Sequence, residues 1–319
     1  MTLPQTITIH PAAEDLAPRA IAPDAPAPAQ VWVEIDAAVF AAPEVAALAA
    51  RHPVAPGGAA VGRVVEAGEA ARHLVGARCL VGPIEACGEC ARCRRGHPSL
   101  CPSGLRRGVD AHGALASHVL AAARWIVPLE GVLAGAPAGP EAALLAREAP
   151  LCYELLARAG VAAGEATLWL GDPVLSALGA RIAEAKGARG IVIERERLAE
   201  AGPKLLAERL EATRGAGEAE PTDVRVFETS GAPEAIRAAL ALAPDGATVG
   251  FLAAPRSDAP LGDVLARELT LFSVGAPHAD LVPEVVALAV RGELPLAGLV
   301  PETIALPREA TRIWVRRAG

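Results

Sequence analysis

Hydrophobic and polar positions along this chain follow two rhythms, and the change falls near Gly131. Before it, apolar residues alternate with polar ones in short β-branched runs, broken by Gly and Pro. Val31 to Ile35 reads as a strand, as does Val61 to Val65 behind Pro56-Gly57-Gly58. Arg78 to Val81, Leu115 to Leu120 and Arg124 to Val127 predict three more, while the Pro- and Ala-rich residues 1–30 predict irregular strand and loop. Short strands with this punctuation point to a small β-barrel.

After an Ala/Gly/Pro-rich connector over 131–150, strands and helices take turns. Strands are predicted at Ala166–Leu170, Gly190–Ile193, Val224–Glu228, Thr248–Ala253 and Leu269–Val274. Helices are predicted at Ser176–Lys186, Leu198–Ala212 and Pro233–Leu242. Such alternation builds βαβ units and a doubly wound parallel sheet. The polar stretch Gly215–Thr222 is short, so one strand–helix unit is expected to be abbreviated.

Composition narrows the picture. A chain of 319 residues suits two domains, and with 52% hydrophobic but only 3% aromatic residues its cores must be filled by Ala, Val and Leu. A formal net charge of −7 argues against a nucleic-acid or anionic-membrane partner. No apolar run is long enough for a membrane span, and MTLPQTITIH lacks the basic-then-apolar pattern of a secretory signal. A cytoplasmic protein is expected, in a compartment where clustered thiols bind metal more often than they pair.

The most specific signal is Gly82–Gly104, GPIEACGECARCRRGHPSLCPSG, which spaces Cys87, Cys90, Cys93 and Cys101 as C-x2-C-x2-C-x7-C. Four thiolates hold Zn²⁺ tetrahedrally and leave no open coordination position, so one structural zinc per chain is expected. Arg92, Arg94 and Arg95 lie between the ligands and would offset thiolate charge. Cys79 and Cys152 read as buried small hydrophobes.

A β-rich first half with a four-cysteine lobe, then a βαβ half, resembles the zinc-containing medium-chain alcohol dehydrogenases over nearly the whole chain. Pro53–Gly68 is similar to that family's stretch ending in G-x-V-x-x-x-G. His112–Leu129 resembles its strand pair after the lobe, Ala159–Gly171 its entry into the first nucleotide-domain strand, and Val226–Ile236 its fourth strand and turn. The resemblance implies a GroES-like barrel over 1–145 with the zinc lobe at 82–104. It implies a Rossmann-like domain over 146–290 and a segment 291–319 returning to the barrel. It also implies a homodimer pairing through the 269–274 strand.

Carried over residue by residue, the family's catalytic-zinc ligands fail. The cysteine position falls on Ala41, with Glu44 nearby, and the Gly-His-Glu falls on Gly57-Gly58-Ala59. The junction ligand falls on Arg147 or Ala149. Alanine and glycine cannot ligate zinc, and His52, Glu44 and Cys152 make an unconvincing replacement set. In the phosphate-binding G-x-G-x-x-G, Gly171 keeps the first slot while Pro173 and Ser176 take the other two, and Asp172 adds a negative charge. Glu194 stands where the family holds the adenosine ribose, beside Arg195 and Arg197. Gly171, Ser176 and Glu194 are thus the cofactor-binding candidates, in a loop whose composition weighs against NAD(P). Tyr153 and Glu154 are the acid/base candidates for an interdomain cleft, and Glu228-Thr229-Ser230-Gly231 marks the turn after the fourth strand. Finally, Arg312–Val315 follows IALPREAT at once, as if the family's last helix were deleted and its last strand kept.

Three functions stay open on this reading. One is a pseudoenzyme-like or repurposed binding protein with structural zinc only, holding a small molecule in the cleft. Another is a zinc-independent NAD(P)H-dependent oxidoreductase acting on a small carbonyl or alkene. The last is redox-neutral chemistry on a small molecule.

Overall fold

The computed structural model describes residues 3–11, 17–40, 53–213, 223–252, 261–277, 280–299, 303–305 and 312–315. The positions Ala41, Glu44 and His52 lie outside them. The chain divides into two compact units. The first comprises 1–147, 276–291 and 296–319, and the second 148–275 and 292–295. Residues 276–290, expected in the second domain, fall within the first unit.

In the first unit, β1 (Ile7–Ile9) and β2 (Arg19–Ile21) form an antiparallel hairpin where the composition predicts irregular chain. Ile7 covers Trp32 and Val65, which gives this hairpin an apolar anchor. The barrel is built on β3 (Gln30–Phe40), β4 (Ala59–Ala67) and β5 (Arg78–Val81). The lobe carries β6 (Ile84–Glu85), helix α1 (Ala91–Arg94) and β7 (Leu105–Arg106). β8 (His118–Ala122) pairs with β3, and β9 (Ile126–Pro128) with β5. Val31, Val33 and Ile35 point into the core together with Ala38. That shift from odd to even positions is caused by the register break between Ile35 and Ala37, where one extra residue flips the strand's inward set. Glycine is required at position 62, because a Cβ there would sit 2.1 Å from the Glu34 carbonyl oxygen of the paired strand.

The second unit begins with α2 (Glu148–Arg158) and β10 (Ala166–Leu170), followed by α3 (Pro173–Ala185) and β11 (Arg189–Val192). The helix expected over 198–212 is split into a 3-10 turn at 195–200 and α4 (Pro203–Ala212), because Pro203 opens a new helix at its first turn. Then come β12 (Val224–Glu228), α5 (Pro233–Leu242), β13 (Thr248–Phe251), α6 (Leu261–Ala266) and β14 (Thr270–Ser273). Among the described residues the sheet is wholly parallel in the order β11-β10-β12-β13-β14, with β14 at one edge. Alternate residues cover both faces. Leu168, Leu170, Val226 and Val249 pack with α4, α5 and α6, while Trp169 and Phe227 stack at 4.4 Å on the other face. The strand order reverses between β10 and β12, so their carboxyl ends define the topological switch point of the sheet.

The chain then returns to the first unit through α7 (Leu281–Val290), a helix absent from the expected elements, and the antiparallel pair β15 (Thr303–Ala305) and β16 (Arg312–Val315). β16 runs parallel to the second half of β3, as the retained last strand requires.

Two glycines in the second unit give opposite expectations. At Gly179 a Cβ would lie 2.3 Å from the Trp169 ring, which is fully buried and stacked on Phe227 and has nowhere to go. Gly179→Ala should therefore cost about 1–3 kcal/mol by overpacking. At Gly262, exposed in α6 with open space around it, the same substitution should gain up to about 1 kcal/mol from helix propensity. Urea unfolding midpoints of the two variants would check both signs.

Candidate metal centre and nucleotide loop

The four lobe cysteines converge. One sulfur from each of Cys87, Cys90, Cys93 and Cys101 lies within 4.8 Å of all the others. Cys87 and Cys93 Sγ are 3.9 Å apart, and Cys90 and Cys93 Sγ 3.5 Å. Four thiolates around Zn²⁺ at about 2.3 Å stand about 3.8 Å from one another, so the donor set fits this metal. Local chain geometry makes the convergence possible. Cys90 caps α1 and its sulfur accepts the Cys93 N–H, and α1 ends at Gly96 in the left-handed region, φ 80°. Cys87 N donates to Cys101 Sγ at 3.3 Å and Cys90 N to Cys87 Sγ at 3.3 Å. The Cys87 N–H and the Ser103 hydroxyl pull the Cys101 thiol down to about 6, toward the thiolate that a metal needs. No other group of three or more His, Cys, Asp or Glu side chains gathers to metal-binding distance among the described residues.

Two of the intervening arginines bond the lobe's own backbone. Arg92 donates to the Leu100 carbonyl at 2.9 Å and Arg95 to that of Ala91 at 3.0 Å. Two further arginines, unremarked in the sequence, fasten the lobe to the barrel. Arg124 donates to the carbonyls of Ala86 and Cys87. Arg107, with its side chain 1% exposed, is paired with Glu85 and also donates to Leu120 O at 2.9 Å. Glu85 in turn accepts from the Ala122 N–H at 3.1 Å. No spacing rule reveals such a pair, since its partners are 22 residues apart and meet only once β6 and β7 form.

At the switch point of the second unit the loop after β10 leads directly into α3. Gly171 has φ 107°, and a Cβ there would meet Glu228 Oε1 at 2.7 Å and Ser230 N at 2.9 Å. Asp172 caps α3, with Oδ1 accepting from Val174 N at 3.1 Å and Leu175 N at 2.9 Å. Pro173 brings no N–H, and Ser176 N donates to the Asp172 carbonyl at 2.8 Å. Asp172 N donates to Thr229 Oγ1 at 2.8 Å, and the Ser176 and Thr229 hydroxyls lie 3.3 Å apart. Glu228, fully buried, accepts from Ser230 N, Ser230 Oγ and Gly231 N. Burial raises its carboxyl above the usual range. Residues 171, 176, 228 and 229 are thus brought together, while Glu194 is engaged elsewhere, ion-paired with Arg209 of α4. Arg197 is held by Glu200 and Glu208.

Residues 27–131 match the alcohol dehydrogenase GroES-like domain model. The chain is similar in fold to galactitol-1-phosphate dehydrogenase of Escherichia coli, with a TM-score of 0.73 at 17% identity, covering 92% of this chain and 90% of that one. Acetophenone reductase of Geotrichum candidum, in complex with NAD, gives a TM-score of 0.75 at 18% identity, covering 92% and 90%. Residues 27–131 are thus an alcohol dehydrogenase GroES-like domain, and the chain shares the fold of these dehydrogenases. In sequence it is 39% identical over 71 residues to L-threonine 3-dehydrogenase of Xanthomonas euvesicatoria, a match that spans 21% of each chain. The chain thus spans about a fifth of the length of the curated relatives it matches.

The positions aligned with Gly-His-Glu are Gly57, Gly58 and Ala59, none of which carries a metal-ligating atom. Gly57 takes φ 101°, and a Cβ there would meet Leu115 N at 2.9 Å, because Pro56 and Gly57 carbonyls accept from Leu115 and Ala114. Ala59 is fully buried in β4, and Arg147 and Ala149 are buried at the junction slot. The acid/base candidates do not face one point. Tyr153 and Glu154 are consecutive on α2 and so project about 100° apart. The Tyr153 ring lies under Lys186 Nζ at 4.6 Å, and Glu154 is buried. Cys152 donates to the Leu175 carbonyl, and Cys79 is buried in the barrel core, where its thiol is pushed up to about 12.

Proposed function

We propose that this chain holds one structural zinc on Cys87, Cys90, Cys93 and Cys101 and has no catalytic zinc. On this reading it is not a zinc-dependent alcohol dehydrogenase but a repurposed, pseudoenzyme-like protein that binds a small molecule. The observation that carries the proposal is that the family's His and Glu slots hold Gly58 and Ala59, which have no metal-ligating atom, with Ala59 fully buried in β4. The nucleotide loop supports it. Its residues do not fit a dinucleotide, because the first N–H groups of α3 already have acceptors within the protein. Elemental analysis should find one zinc per chain, and two would overturn the assignment. Calorimetric titration with NADH and NADPH should give no binding heat, and micromolar affinity for either would overturn the cofactor-free reading.

A second reading is a zinc-independent NAD(P)H-dependent oxidoreductase acting on a small carbonyl or alkene, with Tyr153 or Glu154 as proton donor. It is favoured by the intact parallel sheet with its switch point and by similarity to an NAD-bound reductase. The same titration separates the two readings. In both, the exposed edge of β14 is the surface through which two copies would pair. Light scattering should give the mass of a dimer, and a monomer at all concentrations would remove that element.

A further inference from the structure

The donors that a dinucleotide phosphate would need at α3 are present, correctly formed and already occupied. Val174 N and Leu175 N both donate to Asp172 Oδ1, and Asp172, a residue only 6% exposed, is anchored through its backbone N–H, which donates to Thr229 Oγ1. A carboxylate in that position is chemically what an anion-binding helix terminus selects: a negative oxygen accepting backbone N–H groups against the positive end of the helix. We propose that Asp172 is a built-in anion surrogate, and that this one side chain, more than the two missing glycines, is what excludes nucleotide phosphate from the switch point. The inference rests on the cofactor-free reading above and names its cause.

The alternative causes are separable on the same loop. Pro173 removes one N–H that a glycine would supply, but it leaves Val174 N and Leu175 N in place. Ser176 is buried against the Thr229 hydroxyl and its N–H serves the ordinary helical bond to the Asp172 carbonyl. Neither change alone consumes a donor from the first turn. Asp172 consumes two. Glu228 places a second buried carboxylate behind Gly171, where its Oε1 is bonded to its own turn. It is present in every variant below, so differences among them report on Asp172.

The test is a set of variants of the full chain titrated with NADH and with inorganic pyrophosphate. Asp172→Gly should bind where the parent does not, with a gain of about a hundredfold or more for two freed donors to an anion. Glycine is itself a serviceable N-cap, so this variant keeps the helix start. Pro173→Gly/Ser176→Gly, which restores the family pattern but keeps Asp172, should bind no better than the parent. Asp172→Asn, which keeps an acceptor oxygen on the two N–H groups while losing the charge, should also stay silent. Binding by Asp172→Asn equal to that of Asp172→Gly would overturn the surrogate in favour of simple charge repulsion. A silent Asp172→Gly with parental zinc content and circular dichroism would overturn the inference while leaving the cofactor-free reading standing. NADH binding by the parent itself would overturn both.

Discussion

Replacing Cys93 with serine is expected to strip the lobe of its metal and to open residues 87–104 while the barrel stays folded. The lobe has almost no apolar interior of its own. Ala86 is buried at its base, and within it Cys93 and Pro98 are buried among Gly, Arg and Ser positions. Its helix is a single turn of four residues, too short to persist without an anchor. Beyond the Arg107 and Arg124 tethers at its root, the free energy that holds it comes, on the proposed reading, from a metal on the four thiolates; structural zinc supplies about 10–16 kcal/mol in zinc-finger peptides. Cys93 is the most buried of the four ligands, and its sulfur is close to those of both Cys87 and Cys90, so its loss is the hardest to bridge. The variant should retain well under one zinc per chain. Trypsin should cut at Arg92, Arg94 and Arg95 at least tenfold faster than in the parent, as expected for a locally opened unit. Far-ultraviolet circular dichroism should change little, because the barrel core of Val31, Val33, Val64, Val81 and Val119 lies outside the lobe. A strong chelator should reproduce the proteolysis in the parent. Unchanged zinc content in Cys93→Ser would show that these sulfurs are not the ligands.

The lobe and the parallel sheet were legible in the sequence because both rest on local or periodic signals. Cysteine spacing needs only a few turns to close, and runs such as Ala166–Leu170, Val224–Glu228 and Pro233–Leu242 carry their pattern and their punctuation together. The start of α3 was legible too, in Asp172-Pro173, an N-cap followed by proline at the first helical position. The helix expected from Ser176 begins three residues earlier, at Pro173. Non-local facts were not legible. The N-terminal hairpin depends on Trp32 and Val65 for its apolar partners, and nothing within residues 7–21 announces that. The reach of Lys186 to the Tyr153 ring is likewise set by tertiary packing, which no linear pattern records.

Arg107→Ala should be the most destabilising single change outside the metal ligands, lowering stability by about 3–5 kcal/mol, as expected when one partner of a buried ion pair is removed. The Arg107 side chain is 1% exposed and that of Glu85 15%. The guanidinium satisfies the Glu85 carboxylate and the Leu120 carbonyl together, joining β6 of the lobe to β8 of the barrel. Truncation leaves Glu85 with the Ala122 N–H and an uncompensated charge at the lobe's root. The loss should follow from that stranded charge more than from a favourable pair, because desolvation offsets most of the attraction between buried ions. It follows that Glu85→Gln/Arg107→Met should regain a large part of what Arg107→Ala loses, although it makes fewer polar contacts. Urea unfolding of the three proteins, with zinc content measured alongside, would decide it. The expected order is parent, double variant, then Arg107→Ala, with one zinc per chain in all three. A double variant no more stable than Arg107→Ala would mean that the bonds to Gly82 and Leu120, and not the buried charge, hold the lobe against the barrel.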